Sequence, residues 1–297
     1  MNFSEKLKTK RKQFKFSQEQ LAEKIGVSRQ AITKWETGGG LPDIENLMAI
    51  STLFSISMDD LLSEEKLARD AFHYPYKSVT EYDISRLTHF DIHAPGALEI
   101  IVTAAENEKL HIQLTSNALQ NLAQDYKVKL DEGRNRLDVD IRRTGQSSEA
   151  EGKEALFVHI SLPSRYTKEV ELSAVSDVLR LCGTDFPFEF DGKVCAVHLE
   201  SVKNTVTLNC NIDMEITADE IPSTIEINQI NAASILRVPS DAKYFTKIKG
   251  KSNTIRLTVD GKPAELPAGT AAEHCIELAG MNAELRIEQA GRQNDGI

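Results

Sequence analysis

The segment that most constrains how this chain can fold runs from Ser17 to Gly38, SQEQLAEKIGVSRQAITKWETG. Ser17 can cap a helix, because its side chain can accept a hydrogen bond from the first turn. The apolar residues that follow recur at helical spacing, at Leu21, Ala22 and Ile25. Gly26 can adopt the left-handed conformation that ends a helix, and Ser28 can cap another. The segment is therefore predicted to form two short helices joined by a tight turn.

The second of these helices has one apolar face and one polar face. Its apolar residues recur three and four positions apart, at Ala31, Ile32 and Trp35. The residues between them then point outward: Arg29, Gln30, Thr33 and Lys34. Side chains of these types hydrogen-bond base edges and phosphates, so this face is a candidate DNA-contacting surface.

Residues 3–62 resemble the Cro/C1 (Xre) class of bacterial and phage repressor DNA-binding domains, in the helix-turn-helix just described and in the pattern around it. The resemblance implies a unit of five helices: Ser4–Gln13, 18–25, 28–36, Ile44–Phe54 and Met58–Leu62. Leu41-Pro42-Asp43 would form the turn before the fourth helix, and Ser57 would cap the fifth.

The resemblance also implies which residues contact DNA. They are Ser17, Gln18, Ser28, Arg29, Gln30, Thr33 and Lys34. The helix 28–36 would enter the major groove, with Arg29 and Gln30 near base edges. Gln18 would reach in from helix two, and hydroxyls or N–H groups at Ser17 and Ser28 would bind phosphates.

Two further features surround the helix 28–36. In the class that the segment resembles, an arginine at the position of Arg11 pairs with the glutamate that ends this helix, here Glu36, as a structural ion pair. The class commonly has a basic or hydroxyl residue after the helix, whereas this chain has Thr37-Gly38-Gly39-Gly40. We therefore do not expect side-chain phosphate contacts from that loop, although its backbone N–H groups remain available.

The chain of 297 residues has a net charge of −10, and its charged residues are unevenly distributed along the sequence. Residues 1–40 carry nine Lys and Arg against four Asp and Glu, whereas residues 43–70 carry two against seven. The chain after residue 70 carries 24 basic against 34 acidic residues. Only the N-terminal end is thus suited to a DNA surface, and the acidic remainder is expected to avoid one.

Composition bounds the class of protein. The basic, amphipathic N-terminus lacks the apolar core of a signal peptide, and no apolar run is long enough to span a bilayer. We therefore expect a cytoplasmic protein without a membrane partner. The four cysteines form no CxxC pair, which predicts reduced thiols rather than disulfides or zinc ligands. Cys195 and Cys210 share strand parity with apolar neighbours, so both are expected to be buried.

A different repeat governs the chain beyond residue 83. Triads of an apolar, a polar and an apolar residue start nine residues apart: Val170-Glu171-Leu172, Leu179-Arg180-Leu181, Phe188-Glu189-Phe190, Val197-His198-Leu199 and Val206-Thr207-Leu208. Similar triads occur before and after this run. The pattern predicts short strands with one buried face.

Two all-β architectures fit this spacing: an antiparallel β-sandwich, and a parallel β-solenoid with coils of roughly 18–20 residues. The uniform gaps favour the solenoid. Its stacked coils would align one wall (Leu172, Phe190, Leu208 and Ile227) and a second wall (Leu181, Leu199 and Ile216). Glu171, Glu189 and Glu226 would form an acidic outer stripe with Thr207 between them. The segment also resembles a bacterial domain of unassigned function that follows Xre-type modules and is predicted to be a β-helix.

These patterns divide the chain into three parts. Residues 1–65 are predicted to form the helix-turn-helix domain, and residues 83–297 the β-solenoid, with a sensing or oligomerisation role. Residues 66–82 are predicted to be a linker, because a charged stretch is followed there by Pro75, which interrupts a helix.

The sequence offers little support for catalysis. His89 and His93 lie in an alternating, strand-like stretch, where four-residue spacing does not bring ligands together, so no metal site is expected. The aspartates at 185, 191 and 213 could act as carboxylates of a polysaccharide-cleaving β-helix, but nothing in their spacing joins them. No nucleotide-binding or hydrolase motif occurs. We therefore expect neither an enzyme nor a cofactor.

The sequence predicts a sequence-specific DNA-binding transcriptional regulator that binds double-stranded DNA as a homodimer. An unknown ligand or protein could bind its C-terminal domain. The alternative is an antitoxin-like or defence-associated adaptor whose solenoid binds a protein partner and whose DNA contacts serve its own promoter.

Overall fold

The computed structural model describes residues 3–13, 16–37, 39–54, 74–145, 148–267 and 272–289. The chain divides into two compact units, residues 1–73 (the N-terminal unit) and residues 74–297 (the β unit). The predicted fifth helix, Met58–Leu62, and residues 66–73 of the predicted linker lie outside the described residues. None of the helices in the described ranges combines the length and the apolar character needed to cross a membrane.

The N-terminal unit contains four described helices, whose bounds agree with the predicted ones to within one residue. They are α1 (Phe3–Gln13), α2 (Gln18–Ile25), α3 (Arg29–Glu36) and α4 (Ile44–Phe54). Apolar residues from all four form one core: Phe3, Leu7, Leu21, Ala22, Ile32, Trp35, Leu47, Ile50 and Phe54. The spacing of these residues along each helix is what turns the helices' polar faces outward.

The turn between α2 and α3 has the predicted chemistry. Gly26 adopts a left-handed conformation with φ 73° and ψ 28°, which ends α2. The N–H of Val27 then donates to the carbonyl of Ala22 at 2.9 Å, and Val27 packs on the core. Ser28 caps α3, because its side chain accepts a hydrogen bond from the N–H of Ala31 at 3.2 Å. These contacts fix the angle at which α3 leaves the turn.

The β unit contains eighteen described strands. Those before residue 183 are β1 (Tyr76–Asp83), β2 (Thr88–His93), β3 (Ala97–Ala105), β4 (Lys109–Ser116), β5 (Tyr126–Glu132), β6 (Arg136–Arg143), β7 (Phe157–Pro163) and β8 (Thr167–Cys182). The rest are β9 (Phe188–Glu200), β10 (Val206–Cys210), β11 (Glu215–Ala218), β12 (Thr224–Ile230), β13 (Ala233–Val238), β14 (Phe245–Ile248), β15 (Thr254–Val259), β16 (Lys262–Ala264), β17 (Cys275–Met281) and β18 (Glu284–Gln289). Two short helices, α5 (Leu122–Asp125) and α6 (Glu149–Ala155), interrupt them.

The first strand corrects the predicted linker. Residues 76–82, assigned to the linker from sequence, lie in β1, which pairs antiparallel with β4 from Tyr76 to Asp83. Pro75 immediately precedes the strand, where its missing N–H removes no ladder hydrogen bond. Tyr76 and Tyr82 pack against the core of the β unit, and this packing outweighs the polar composition of the segment.

Strand pairing in the β unit is mostly parallel and follows the predicted spacing. β8 pairs with β9 so that Leu172 lies opposite Phe190. Phe190 lies opposite Leu208, and Leu208 lies opposite Ile227. The four residues expected on one wall are thus in register along four neighbouring strands.

The second predicted wall is partly wrong. Leu181 lies opposite Leu199 as expected, but Ile216 lies opposite Val197 rather than Leu199. Paired residues of β9 and β11 are one residue further apart in the sequence than paired residues of β9 and β10. Ala218 rather than Ile216 therefore lies opposite Leu199, so Ile216 is two residues out of the expected register.

Several strands lie beside strands that are distant from them in the sequence. β2 lies between β6 and β8, and β3 lies between β7 and β8. Likewise β17 lies between β12 and β14, and β18 lies between β13 and β15. The pair β17 and β18, the last described in the sequence, thus lies between the pair β12 and β13 and the pair β14 and β15.

The interior of the β unit is mostly apolar, and two of the four cysteines are buried in it. Cys210 and Cys275 are buried, whereas Cys195 is exposed, which corrects its predicted burial. In β9 both Val194 and Val197 are fully buried although they are three residues apart. The inward-outward alternation therefore changes between them, and Cys195 faces solvent.

Candidate nucleic-acid interface

Helix α3 presents a continuous polar surface. Ile32, Trp35 and Glu36 are buried, with relative exposures of 0%, 7% and 8%. The predicted DNA-contacting residues at its start and on its opposite face are all exposed: Ser28, Arg29, Gln30, Thr33 and Lys34. A helix has 3.6 residues per turn, so the residues that anchor α3 in the core leave these five facing outward.

A buried ion pair connects α1 to the end of α3. Arg11 Nε donates to Glu36 Oε1 at 2.5 Å, and Arg11 Nη2 donates to Glu36 Oε2 at 2.9 Å. The third contact of the guanidinium is from Nη1 to the carbonyl of Phe16 at 2.9 Å. Only 12% of the Arg11 side chain and 2% of the Glu36 side chain are exposed. The two-pronged geometry holds α3 against α1.

The electrostatics of Glu36 follow from these contacts. Burial by itself raises the pKa of the carboxyl, but hydrogen bonds from Arg11 and Gln18 and the charges of Arg11 and Lys8 outweigh it. The net effect is a pKa below the ordinary 4.5, so Glu36 is ionised at neutral pH. In turn, the hydrogen bond to Glu36 raises the pKa of Arg11 against the opposing effect of burial.

Gln18 joins this pair to the exposed face of α3. Its Nε2 donates to Glu36 Oε2 at 2.8 Å, and its Oε1 accepts from Thr33 Oγ1 at 3.2 Å. A carboxylate only accepts hydrogen bonds, so the amide nitrogen of Gln18 must face Glu36 and the amide oxygen must face Thr33. No spacing signal in the sequence indicates this link, because both partners belong to a different helix from Gln18.

Both capping serines use their oxygen atoms inside the domain. Ser17 Oγ accepts from the N–H of Gln20 at 3.1 Å, and the side chain of Gln20 accepts from the N–H of Ser17 at 2.8 Å. Ser28 Oγ accepts from the N–H of Ala31. Each hydroxyl proton remains free to donate, and each cap places a helix N-terminus, which favours anions, at the surface.

Lys34 lies beside Gly39 and Gly40, which follow α3. The N–H of Gly39 donates to the carbonyl of Lys34 at 2.8 Å. A Cβ atom at residue 39 would lie only 3.0 Å from Cγ of Lys34, which is too close for an unstrained contact. The absence of a Cβ at Gly39 therefore allows the aliphatic part of the Lys34 side chain to lie beside the exposed face of α3. The spacing of residues in the sequence did not predict this contact.

Three candidate residues of the β unit, His89, His93 and Asp213, make contacts within that unit. His89 Nδ1 lies 2.7 Å from Glu169 Oε1, and His93 Nδ1 lies 3.4 Å from Asp91 Oδ1. Within the described residues, no group of His, Cys, Asp or Glu side chains is arranged to hold a metal ion. Asp213 accepts a hydrogen bond from the N–H of Ala233 at 2.8 Å, which ties neighbouring strands together.

The predicted acidic stripe is present in register. Glu171 lies opposite Glu189, Glu189 opposite Thr207, and Thr207 opposite Glu226. Asparagine side chains moderate the repulsion, because Asn209 Nδ2 donates to Glu189 Oε1 at 2.6 Å. Asn228 Nδ2 donates to Asn209 Oδ1 at 2.8 Å and so continues the ladder. The stripe is thus a hydrogen-bonded surface of the sheet.

Comparison with known proteins finds similarity in the N-terminal unit. Residues 7–61 match the family described as helix-turn-helix. The chain is 52% identical over 67 residues to the HTH-type transcriptional activator BcrR of Enterococcus faecalis. It is 44% identical over 71 residues to the uncharacterized HTH-type transcriptional regulator YqaE of Bacillus subtilis, and 41% identical over 61 residues to the CTXphi transcriptional repressor RstR of Vibrio cholerae.

These matches cover 23%, 23% and 20% of this chain, and they span 33%, 61% and 54% of the three relatives. The β unit has a looser likeness to the crystal structure of a "putative cell adhesion protein" from Clostridium sporogenes. That comparison covers 72% of this chain and 99% of the other, with 11% sequence identity and a TM-score of 0.41.

Proposed function

We propose that the chain is a sequence-specific DNA-binding transcriptional regulator, because residues 7–61 match the helix-turn-helix family. The observation that carries the proposal is the exposed face of α3, where Arg29, Gln30, Thr33 and Lys34 point away from a core that holds Ile32. The basic excess of residues 1–40 supplies the attraction to phosphates that such a face needs.

In this proposal α3 enters the major groove. Arg29 and Gln30 lie at its N-terminal end, where an arginine can bind guanine and a glutamine can bind adenine through paired hydrogen bonds. Thr33 and Lys34 lie further along the helix. Gln18 reaches the same surface from α2, held in one orientation by Glu36.

Phosphate contacts would position the domain on the duplex. The N-termini of α2 and α3 direct N–H groups outward, and Ser17 and Ser28 add hydroxyl donors. Arg11 and Glu36 act within the domain by fixing α3 relative to α1, so that base-reading side chains keep a constant register.

For the β unit, we infer a parallel β-solenoid that senses a signal or joins two chains. The parallel pairing of β8, β9, β10 and β12, with the apolar positions of each strand opposite those of the next, supports this inference. We place the boundary between the two domains after residue 65 and before Tyr76, where β1 begins. A dimer is proposed because one such module reads a single half-site, and genomic specificity requires two.

Selection of bound duplexes from a random DNA library by the full chain tests the proposal. We expect a two-fold symmetric motif to be enriched by the wild-type protein, and no motif to be enriched by the double variant Arg29→Ala, Gln30→Ala. If the wild-type protein enriches no motif, or if the double variant enriches the same motif, the proposed function is wrong.

A further inference from the structure

Among the described strands, β14 lies at an edge of the β unit. It pairs with β17 on one side, and none of the described strands pairs with it on the other. The N–H of Phe245 donates to the carbonyl of His274 at 3.0 Å, and the N–H of Lys249 donates to that of Leu278 at 2.9 Å. In a parallel ladder, alternate residues face opposite neighbours. Thr246 and Ile248 therefore direct their backbone groups toward the open side.

The interior of the β unit is also open at this edge. Ile248 lies opposite Leu278, which lies opposite Ile227, and these last two residues are fully buried. Ile248, at the same inward position on the edge strand β14, is 51% exposed. At the neighbouring corner Met281 lies opposite both Ile230 and Lys251, and the two apolar residues are 42% and 46% exposed. An apolar surface therefore lies beside the free backbone groups.

The edge is basic in an otherwise acidic unit. Residues 241–251, DAKYFTKIKGK, carry four lysines against one aspartate. Lys249 Nζ lies 2.5 Å from Oε1 of the buried Glu277, so its charge is largely neutralised. Lys243 and Lys247 are exposed, and Lys247 Nζ lies 5.2 Å from the ring centroid of Phe245. Lys247 lies on β14 and Lys243 lies two residues before it, so both charges are close to the position of an added strand.

We propose that this edge binds an extended peptide in which acidic and apolar residues alternate, by adding the peptide as a further strand beside β14. Successive side chains of a strand point to opposite faces. Residues of the peptide on the outer face meet Lys247 and carry carboxylates. Residues on the inner face cover Thr246 and Ile248 and are apolar. The free backbone groups of β14 supply main-chain hydrogen bonds, as in other cases of strand addition.

The charge pattern selects this occupant over others. Two copies of the edge paired with each other would place lysines against lysines, and lysines at an edge oppose such self-association. Double-stranded DNA has no peptide groups to continue the ladder and gains nothing from the apolar position of Ile248. The surface belongs to the β unit, so the proposal stands independently of DNA binding by the N-terminal unit.

Fluorescence anisotropy with the full chain at fixed salt tests this proposal. The probe is a labelled peptide of sequence EVEVEVE, compared with KVKVKVK and with EEEEVVV, which has the same composition without alternation. We expect EVEVEVE to bind at least about tenfold more tightly than either control peptide. Lys247→Glu and Ile248→Asp should each weaken its binding about tenfold or more, whereas Lys193→Glu, at an exposed lysine of β9, should leave it unchanged.

A further variant separates strand addition from simple attraction of charges. Ile248→Pro removes one outward N–H without removing a lysine, and proline is tolerated on an edge strand whose N–H faces solvent. It should abolish binding of EVEVEVE while thermal melting of the β unit is retained. Equal binding of EEEEVVV, binding unaffected by Lys247→Glu, or displacement of the peptide by random duplex DNA would overturn the proposal.

Discussion

The ion pair between Arg11 and Glu36 makes a quantitative prediction about the N-terminal unit. Arg11→Ala leaves a carboxylate whose side chain is 2% exposed without its guanidinium partner. Breaking a buried ion pair from one side costs about 3–5 kcal/mol. We expect the lower end, about 3 kcal/mol, because Arg11 is 12% exposed and Gln18 still donates to Glu36. Lys8→Ala removes an exposed charge and should cost less than about 0.5 kcal/mol.

Urea unfolding of the full chain, followed by tryptophan fluorescence, measures both variants. The chain has one tryptophan, Trp35, and it lies in the core of the N-terminal unit, so its emission reports the unfolding of that unit alone. Urea is uncharged and leaves the ion pair unscreened. Equal midpoints for Arg11→Ala and Lys8→Ala would refute the reasoning, since the pair would then contribute no more than an exposed charge.

The pH dependence of the same transition is a second test of the pair. The pKa of Glu36 is lowered in the folded state, so its contribution is present above the ordinary value of 4.5 and is lost as pH falls through the lowered one. In Arg11→Ala, burial still raises the pKa of Glu36 while the arginine that lowered it is absent. The stability difference between wild type and variant should therefore be largest near neutral pH and should shrink in acid. A difference that is constant from pH 7 to pH 3 would contradict this account.

Three other predictions follow from the geometry. Gly26→Ala should destabilise the N-terminal unit by about 1 kcal/mol in the Trp35 assay, because φ is 73° there. No neighbouring atom lies within 4 Å of a new Cβ, so the cost comes from the backbone conformation and not from a clash. An unchanged midpoint would show that the turn relaxes at no cost. Deletion of residues 272–297 should make the chain beyond residue 239 sensitive to protease, because β17 and β18 join β14 and β15 to the other strands of the β unit. The Trp35 transition should stay unchanged. Full resistance to protease would contradict the position of β17 and β18 between earlier strands. The full chain should bind a two-fold symmetric operator on the order of 100-fold more tightly than residues 1–70, since linking two modules makes the second contact intramolecular; equal operator titrations, with a monomer in light scattering, would remove the dimer from the proposal.

The helices of the N-terminal unit could be predicted because their signals are local. Ser17, Gly26 and Ser28 mark ends that depend on their own backbone conformation, and apolar spacing sets the buried face. The contact between Arg11 and Glu36 was implied only by resemblance to a class. The hydrogen bonds of Gln18 to Glu36 and Thr33 depend on how α2 packs on α3, and no spacing rule contains that information.

The β unit shows the limit of a repeat more clearly. The triads predicted the register of Leu172, Phe190 and Leu208, because every second triad of the regular run falls on the neighbouring strand of the same wall. They did not predict that β17 lies between β12 and β14, because every triad has the same apolar pattern and so does not specify which strand it pairs with. The exposure of Cys195 was missed for a related reason, since a change of parity inside β9 leaves no mark in composition.

The central claim is that α3 reads base edges, and one measurement tests it most directly. The selected operator and a random duplex of equal length are titrated at the same salt with wild type, Arg29→Ala, Gln30→Ala and Lys8→Ala. Salt must be fixed because phosphate contacts make affinity vary steeply with it.

Loss of a paired contact to a base costs about 1–3 kcal/mol, so Arg29→Ala and Gln30→Ala should each weaken operator binding by about 5- to 150-fold and leave random-duplex binding nearly unchanged. Lys8 is an exposed basic residue of α1 with no proposed base contact, so Lys8→Ala should change both affinities by the same factor. Equal losses on operator and random DNA for Arg29→Ala and Gln30→Ala would mean that these side chains contact only phosphates, and the base-reading role of α3 would be wrong.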